Sequence, residues 1–268
     1  MQEYKMPYRE QNSNKGTFGK VLNFCGSGNY IGAAYLASKS SLKVGAGYSA
    51  LATEQRIIDS ISGTLPEVVY LSPRQGLNQI NDFTTVLLGC GIGTSRKSYR
   101  LVNTVIDKTP TQTPMVIDAD GLNLLAKMNK SLKKENLIIT PHPIEAARLL
   151  KVSAQDVLTD LETAAKTLSE KYGCITVLKS HNTVICNKTQ TFINKHGNSA
   201  LAKAGSGDVL AGIIAGLLAQ KMQPYEAAVL GTYLHSRAGE IASEDLSEYS
   251  VLANDLINYL PKAIKEVL

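Results

Sequence analysis

From Lys20 onward the chain alternates short runs of apolar residues with longer stretches in which apolar positions recur at helical spacing. The short runs predict strands over 21–25, 48–52, 67–71, 85–88, 115–119 and 137–140. Helical spacing predicts helices over 30–43, 95–107 and 144–150, with Thr159 and Glu162 spaced as a capping box for another. Three runs at close spacing, 174–178, 183–186 and 190–193, predict antiparallel hairpins. Three helices then follow over 206–220, 225–243 and 251–260, with Pro224 and Pro261 as punctuation. Strands alternating with helices argue for an α/β fold: a doubly wound, mostly parallel central sheet flanked by helices on both faces. Residues 1–19, polar and rich in Asn, Lys and Ser, are expected to form an arm or linker, and 20–268 a single domain.

In such folds ligands bind at the carboxyl ends of strands. Here Gly- and acid-rich segments follow predicted strands after Cys25, Leu88, Ile117 and Ile139. The most informative segment comes later, at Gly205-Ser206-Gly207-Asp208, a small-residue turn and one acid before an apolar helix. Backbone N–H groups in such a turn, with the positive end of the helix dipole, suit a bound phosphate. Asp208 would then lie beside that phosphate as a base for a hydroxyl, the minimum equipment for phosphoryl transfer. The alternative reading is a tight turn with Asp208 capping the helix. His142 stands between Pro141 and Pro143, so its backbone is stiff and its ring is placed at little entropic cost.

Composition narrows the function. The chain has 268 residues, 44% hydrophobic and 19% charged, which suits one large globular domain. Net charge is +5, but the cations are scattered, with no Trp and only 4 Phe, so nucleic-acid binding is not expected. Cys25, Cys90, Cys174 and Cys186 form no C-x-x-C pair, and buried thiols in a reducing compartment are expected. The N-terminus lacks an apolar signal core, and the longest apolar run, 209–219, is too short to span a bilayer. These features predict a cytoplasmic protein with no membrane contact.

Several segments carry a family resemblance: NKGTFGKVL (14–22), GSGNYIGAAYLASKSSLKVGAGYS (26–49), LLGCGIGT (87–94), VIDADGLNLL (116–125), TPHPIEAARLL (140–150), TVLKSHNTVI (176–185), GNSALAKAGSGDVLAGIIAGLLAQ (197–220) and YLHSRAGEIA (233–242). Together they resemble ADP/ATP-dependent NAD(P)H-hydrate dehydratases, which are similar to ribokinase-like kinases. Departures are local: Cys90 where the family often has proline, Ile144 where it often has glycine before the glutamate, and Ser180 where it often has glycine.

The resemblance implies a ribokinase-like fold and nucleotide-dependent dehydration of the S-form of hydrated NADH or NADPH. ADP is the favoured donor over ATP, with Mg²⁺ on its phosphates. It implies Asp208 as catalytic base in contact with the substrate hydroxyl, and Gly205, Ser206 and Gly207 around the transferred phosphate. Lys179, Ser180, His181, Asn182 and Thr183 would border the nucleotide, or else form an ordinary hairpin turn. Ala33, Gly91, Gly93, Asp120, Asn123 and His142 would contact the hydrated dinucleotide. Glu145 would help hold magnesium through water, or else serve as a first-turn acid of its helix. Asp118 is expected to be structural. Tyr30, Tyr48, Tyr233 and His235 are assigned no chemistry. A homo-oligomer, such as a tetramer, and a separate or fused epimerase are implied partners. The rival readings are a ribokinase-like kinase for a vitamin precursor, and a nucleotide-binding regulator without turnover.

Overall fold

The computed structural model describes residues 5–128, 130, 132 and 134–268. Its strands are β1 (Lys20–Phe24), β2 (Tyr48–Ala52), β3 (Val69–Leu71), β4 (Thr85–Leu88), β5 (Met115–Ile117), β6 (Leu137–Ile139), β7 (Ile175–Leu178), β8 (Thr183–Cys186) and β9 (Thr191–Asn194). They join in one sheet, ordered β3-β2-β1-β4-β5-β6-β7-β8-β9. Pairings from β3 through β7 are parallel, and those of β8 with β7 and β9 are antiparallel, as the sequence predicts. After β1 the chain builds β2 and β3 on one side, then returns to lay β4 on the other. A crevice therefore opens between the carboxyl ends of β1 and β4.

The helices are α1 (Ile31–Lys43), α2 (Gln55–Ile61), α3 (Pro73–Asn78), α4 (Arg96–Lys108), α5 (Asp120–Lys127), α6 (Pro143–Leu150), α7 (Ala154–Thr159), α8 (Leu161–Tyr172), α9 (Ser206–Ala219), α10 (Pro224–Leu246) and α11 (Ala253–Lys265). Strand side chains alternate between two cores. Leu87, Val116 and Ile138 pack with α1, α9, α10 and α11 on one face. Leu88, Ile117 and Ile139 pack with α4, α5, α6 and α8 on the other. The buried stripe of α1 is small, Ala33, Ala34, Ala37, Ser40 and Ser41, because α9 lies directly upon it. A Cβ on Gly212 of α9 would fall 2.3 Å from the Ala37 carbonyl oxygen.

Some local expectations are corrected. The cap of α8 is Asp160, whose carboxylate accepts from the Thr163 N–H at 3.0 Å, while Thr159 ends α7. Asp160 stands one residue closer to the helix than the predicted cap and offers an equally good acceptor. Pro261 does not end α11 but sits inside it, on the exposed side. The buried face of Leu256, Ile257, Leu260 and Ala263 runs past the proline and holds the helix together. Short helices α2, α3 and α7 were too brief to show periodicity. The first four residues of the expected arm lie outside the described residues. The remainder lies on the domain: Arg9 Nη1 donates to the Gly45 carbonyl at 2.9 Å, and its guanidinium sits 3.6 Å over the Phe18 ring. All four cysteines are buried and free. Among the described residues no helix is long and apolar enough to cross a membrane.

Candidate active site

The turn before α9 lines a cavity of about 770 Å³, of a size usual for ligand sites. Gly205 has φ 90°, and a Cβ there would meet Leu36 Cδ1 at 2.6 Å, so no other residue fits without strain. The N–H groups of Gly207 and Asp208 have no hydrogen-bond partner among the described residues. They are the open donors of a helix start, available to an anion. Ser206 differs: its N–H donates to the Lys203 carbonyl at 3.2 Å, and its hydroxyl lies 3.0 Å from His235 Nε2. Ser206 thus braces the turn, and its expected N–H contribution to a phosphate is already committed.

Buried charge surrounds this turn. Asp118 follows β5 and is 1% exposed. Its Oδ1 accepts from Lys179 Nζ and from Thr140 Oγ1, both at 2.7 Å. Its backbone is turned at Ala119, a non-glycine residue at φ 51° that begins α5. The acid atoms of Asp118 and Asp208 and the Cys90 sulfur all lie within 4.8 Å of one another. Burial first, then the Asp118 charge, pushes the Asp208 carboxyl up to about 7. Burial opposes the charge on Lys179, but Asp118 and Glu145 outweigh it and raise its pKa, so it stays an ammonium. A hydrogen bond with Cys25 and burial hold the Cys90 thiol well above its ordinary value, so it remains protonated.

His142 and Glu145 open α6 as a closed unit. The His142 N–H donates to Glu145 Oε2 at 2.9 Å, and the Ile144 N–H donates to His142 Nδ1 at 3.1 Å. That leaves His142 Nε2 facing Glu145 Oε1 at 3.4 Å. Burial and nearby Lys179 lower the His142 pKa, so the ring is neutral, while burial pushes Glu145 up to about 7. Glu145 Oε2 is thus held by the His142 N–H and Oε1 lies near the ring, which fits helix capping.

The cavity gathers many of the residues singled out from the sequence. His142, Glu145 and Lys179 line it, as do Ser180, His181 and Thr183 from the β7–β8 turn. Gly205, Ser206, Gly207 and Asp208 line it as well. Ser180 and Thr183 also close their own turn, where Thr183 Oγ1 donates to the Ser180 carbonyl at 3.1 Å. Asn182 does not line the cavity, and neither do Ala33, Gly91, Gly93, Asp120 or Asn123. Gly93 instead lines a second, smaller cavity, and its N–H donates to Asp120 Oδ2 at 2.8 Å. Ala33 is buried against Gly91, where an added Cβ would come within 2.7 Å of the Ala33 Cβ. Asn123 accepts from Arg148 Nη1 at 2.6 Å.

Asp118 and His235 are among the wall residues to which the sequence reading gave no chemistry. Asp118 lines the cavity, and its carboxylate holds Lys179. Its place beside Asp120 after a strand was the available signal. His235 lines the cavity from α10, and burial lowers its pKa to about 4, so it is neutral. Nothing in its Ala- and Leu-rich surroundings distinguished it from a core residue.

Fold and cavity together define an α/β protein of the ribokinase-like class, like its solved neighbours. Residues 21–262 match the NAD(P)H-hydrate dehydratase family, and the chain belongs to it. It is 37% identical over 259 residues to the bifunctional NAD(P)H-hydrate repair enzyme Nnr of Coxiella burnetii, covering 95% of this chain and 52% of that protein. It is 36% identical over 242 residues to the ADP-dependent (S)-NAD(P)H-hydrate dehydratase of Neisseria meningitidis serogroup B, covering 88% of this chain and 81% of that one. The ADP/ATP-dependent NAD(P)H-hydrate dehydratase of Bacillus subtilis, co-crystallized with ATP/Mg²⁺, superimposes with a TM-score of 0.89 at 30% identity. That match covers 98% of this chain and 95% of the other. The chain spans about half the length of several curated bifunctional relatives.

Proposed function

We propose that the protein dehydrates the S-form of hydrated NADH and NADPH at the expense of a nucleotide, ADP by preference, and so repairs nicotinamide nucleotides. The observation that carries this reading is the Asp208 carboxyl, with a pKa raised to about 7, beside the open N–H groups of α9 in a nucleotide-sized cavity. The named relatives support the substrate and the donor.

In this reading the hydroxyl of the hydrated ring gives its proton to Asp208, and its oxygen attacks the terminal phosphorus of ADP. The bond from that phosphorus to the bridging oxygen breaks, releasing AMP (or ADP when ATP is the donor). The Gly207 and Asp208 N–H groups hold the developing charge on the phosphoryl oxygens, with the Lys179 ammonium near. A Cβ on Gly207 would lie only 3.2 Å from Lys179 Nζ, which measures how close that cation stands to the turn. The phosphate then leaves with the C–O electron pair, pushed by the ring-nitrogen lone pair. Loss of a proton from the neighbouring carbon restores the double bond. His142, neutral and held by Glu145, borders the dinucleotide, and Ser180, His181 and Thr183 border the nucleotide.

Magnesium would neutralise phosphate charge. The wall fits an ion carried in mostly on the nucleotide's own oxygens and water, because one Glu145 oxygen is held by the His142 N–H and its carboxyl is pushed up to about 7. A cytoplasmic location, a homo-oligomer such as a tetramer, and an epimerase as partner or fused domain complete the proposal; the bifunctional relatives support the last.

The test is hydrated NADH with Mg²⁺ and ADP, ATP or no nucleotide, following the near-ultraviolet absorbance of reduced nicotinamide and the release of phosphate. Recovery with equimolar phosphate is expected, faster with ADP. A phosphorylated product without recovery would instead identify a small-molecule kinase, and no reaction with either nucleotide would leave a binding protein.

A further inference from the structure

Cys90 is fully buried, in the turn after β4, between Gly89 and Gly91 at φ 122° and 64°. The turn is held from both sides. A Cβ on Gly89 would fall 2.1 Å from the Asp118 carbonyl oxygen, and one on Gly91 would fall 2.7 Å from the Ala33 Cβ. The Cys90 carbonyl accepts from the Gly26 N–H at 2.8 Å. Backbone from the β1 loop and from the turn into α5 thus fixes where the thiol stands. Its Sγ donates to Asp118 Oδ2 at 3.8 Å. The sulfur, an Asp118 oxygen and an Asp208 oxygen all lie within 4.8 Å of one another.

Two carboxylates this close each disfavour the charge of the other, yet a base must be ionised to take a proton. The Asp118 charge has partners of its own, Lys179 Nζ and Thr140 Oγ1, both at 2.7 Å from Oδ1. For Asp208 the Cys90 thiol is the hydrogen-bonding side chain that favours the charge, with Lys179 adding to it at longer range. Asp118 and Asp120 oppose that charge. Cys25 hydrogen-bonds with Cys90, and His142, Glu145 and His235 line the same cavity. A protonated thiol between two acids helps Asp208 in either orientation: toward Asp208 it stabilises the charge directly, and toward Asp118 it weakens the repulsion. The chain departs from its family here, having a donor where a proline, which has none, is often found. We propose that Cys90 is a positioning residue for the base, its thiol a hydrogen-bond donor set between Asp118 and Asp208 that favours the ionised form of Asp208. The inference rests on the dehydratase reading for the task of Asp208, and on geometry alone for the hydrogen bond.

The experiment follows kcat/KM for hydrated NADH against pH, with Mg²⁺ and saturating ADP, in wild type, Cys90→Ala and Cys90→Ser. In Cys90→Ala the rising limb should move up by about 0.5–1 pH unit, as expected for one lost hydrogen bond to a charge, with the plateau at high pH retained. At about pH 6 that shift reads as a three- to tenfold loss. Cys90→Ser, which keeps a donor on a small side chain, should titrate at or below the wild-type midpoint. An unmoved or lowered limb in Cys90→Ala overturns the proposal, as does a lost plateau without a shift. A limb raised alike in both variants would assign the effect to packing and overturns it too. A wild type that shows no dehydration refutes the function rather than the hydrogen bond. In that case the Asp208 carboxyl is titrated directly by carbon-13 NMR, its signal assigned by its absence from Asp208→Asn. A midpoint higher in Cys90→Ala than in wild type and Cys90→Ser supports the role of the thiol, and equal midpoints overturn it.

Discussion

The two cavities lie along the same edge of the sheet and use charge in opposite ways. Around Asp208 the acids are buried: Lys179 compensates Asp118, and Glu145 is held against the neutral His142. At the crevice between β1 and β4 the charges are exposed, and Glu54 bridges two cations. Burial shifts pKa values, so the first arrangement suits moving a proton at neutral pH. Exposure leaves the second group of charges free to turn in solvent. The same residue types thus sit in two different settings, set apart by depth.

The largest expected effect belongs to the reacting region. Removing the proposed base with Asp208→Asn should lower kcat by about 10²- to 10⁴-fold, the usual range for a positioned general base. The same change should leave the melting temperature at pH 8 equal or higher. The folded pKa of Asp208 is raised to about 7 from its ordinary 3.8, so its stabilising contribution is complete below the ordinary value and is lost as pH climbs through about 7. The amide removes that loss, and a melting temperature well below wild type at pH 8 would contradict it. In wild type, kcat/KM should rise with pH and level off above about 7. That limb should persist in Glu145→Gln, because Glu145 also lies near 7 but is not the base.

Breaking the Asp118 pair comes next. Lys179→Met should cost about 2–3 kcal/mol in denaturant unfolding, below the ~3–5 of a fully buried pair because Lys179 is partly exposed. A cost under about 0.5 kcal/mol would mean that water compensates Asp118 and that the region is not dry. Gly205→Ala should cost about 1–2 kcal/mol for its left-handed backbone. It should also weaken ADP binding, read by titration. The smallest effect sharpens the contrast: Arg56→Gln should change stability by less than ~1 kcal/mol, as surface pairs do.

The fold was largely legible in the sequence because strands such as 85–88 and 137–140 are short, apolar and bounded by glycine, proline or acid. The antiparallel end was legible from three runs too close together for crossovers. At the site, the Gly205–Asp208 turn announced itself because glycine, small residues and one acid seldom open an apolar helix without cause. The Asp118–Lys179 pair did not, because its members stand 61 residues apart and meet only when β5 and β7 are both in the sheet. His235 was hidden for a similar reason: α10 must first pack on α9 before its ring reaches Ser206. Pro261 misled because a local helix breaker was outweighed by the packing of Leu256, Leu260 and Ala263.

The most direct test of the central claim is a single-turnover reaction of hydrated NADH with Mg²⁺ and ADP, catalysed by wild type and by Asp208→Asn under conditions where both bind ADP equally. The account predicts absorbance recovery slower by at least about 100-fold in the variant. Recovery at the wild-type rate would show that another group takes the proton and that Asp208 only caps its helix.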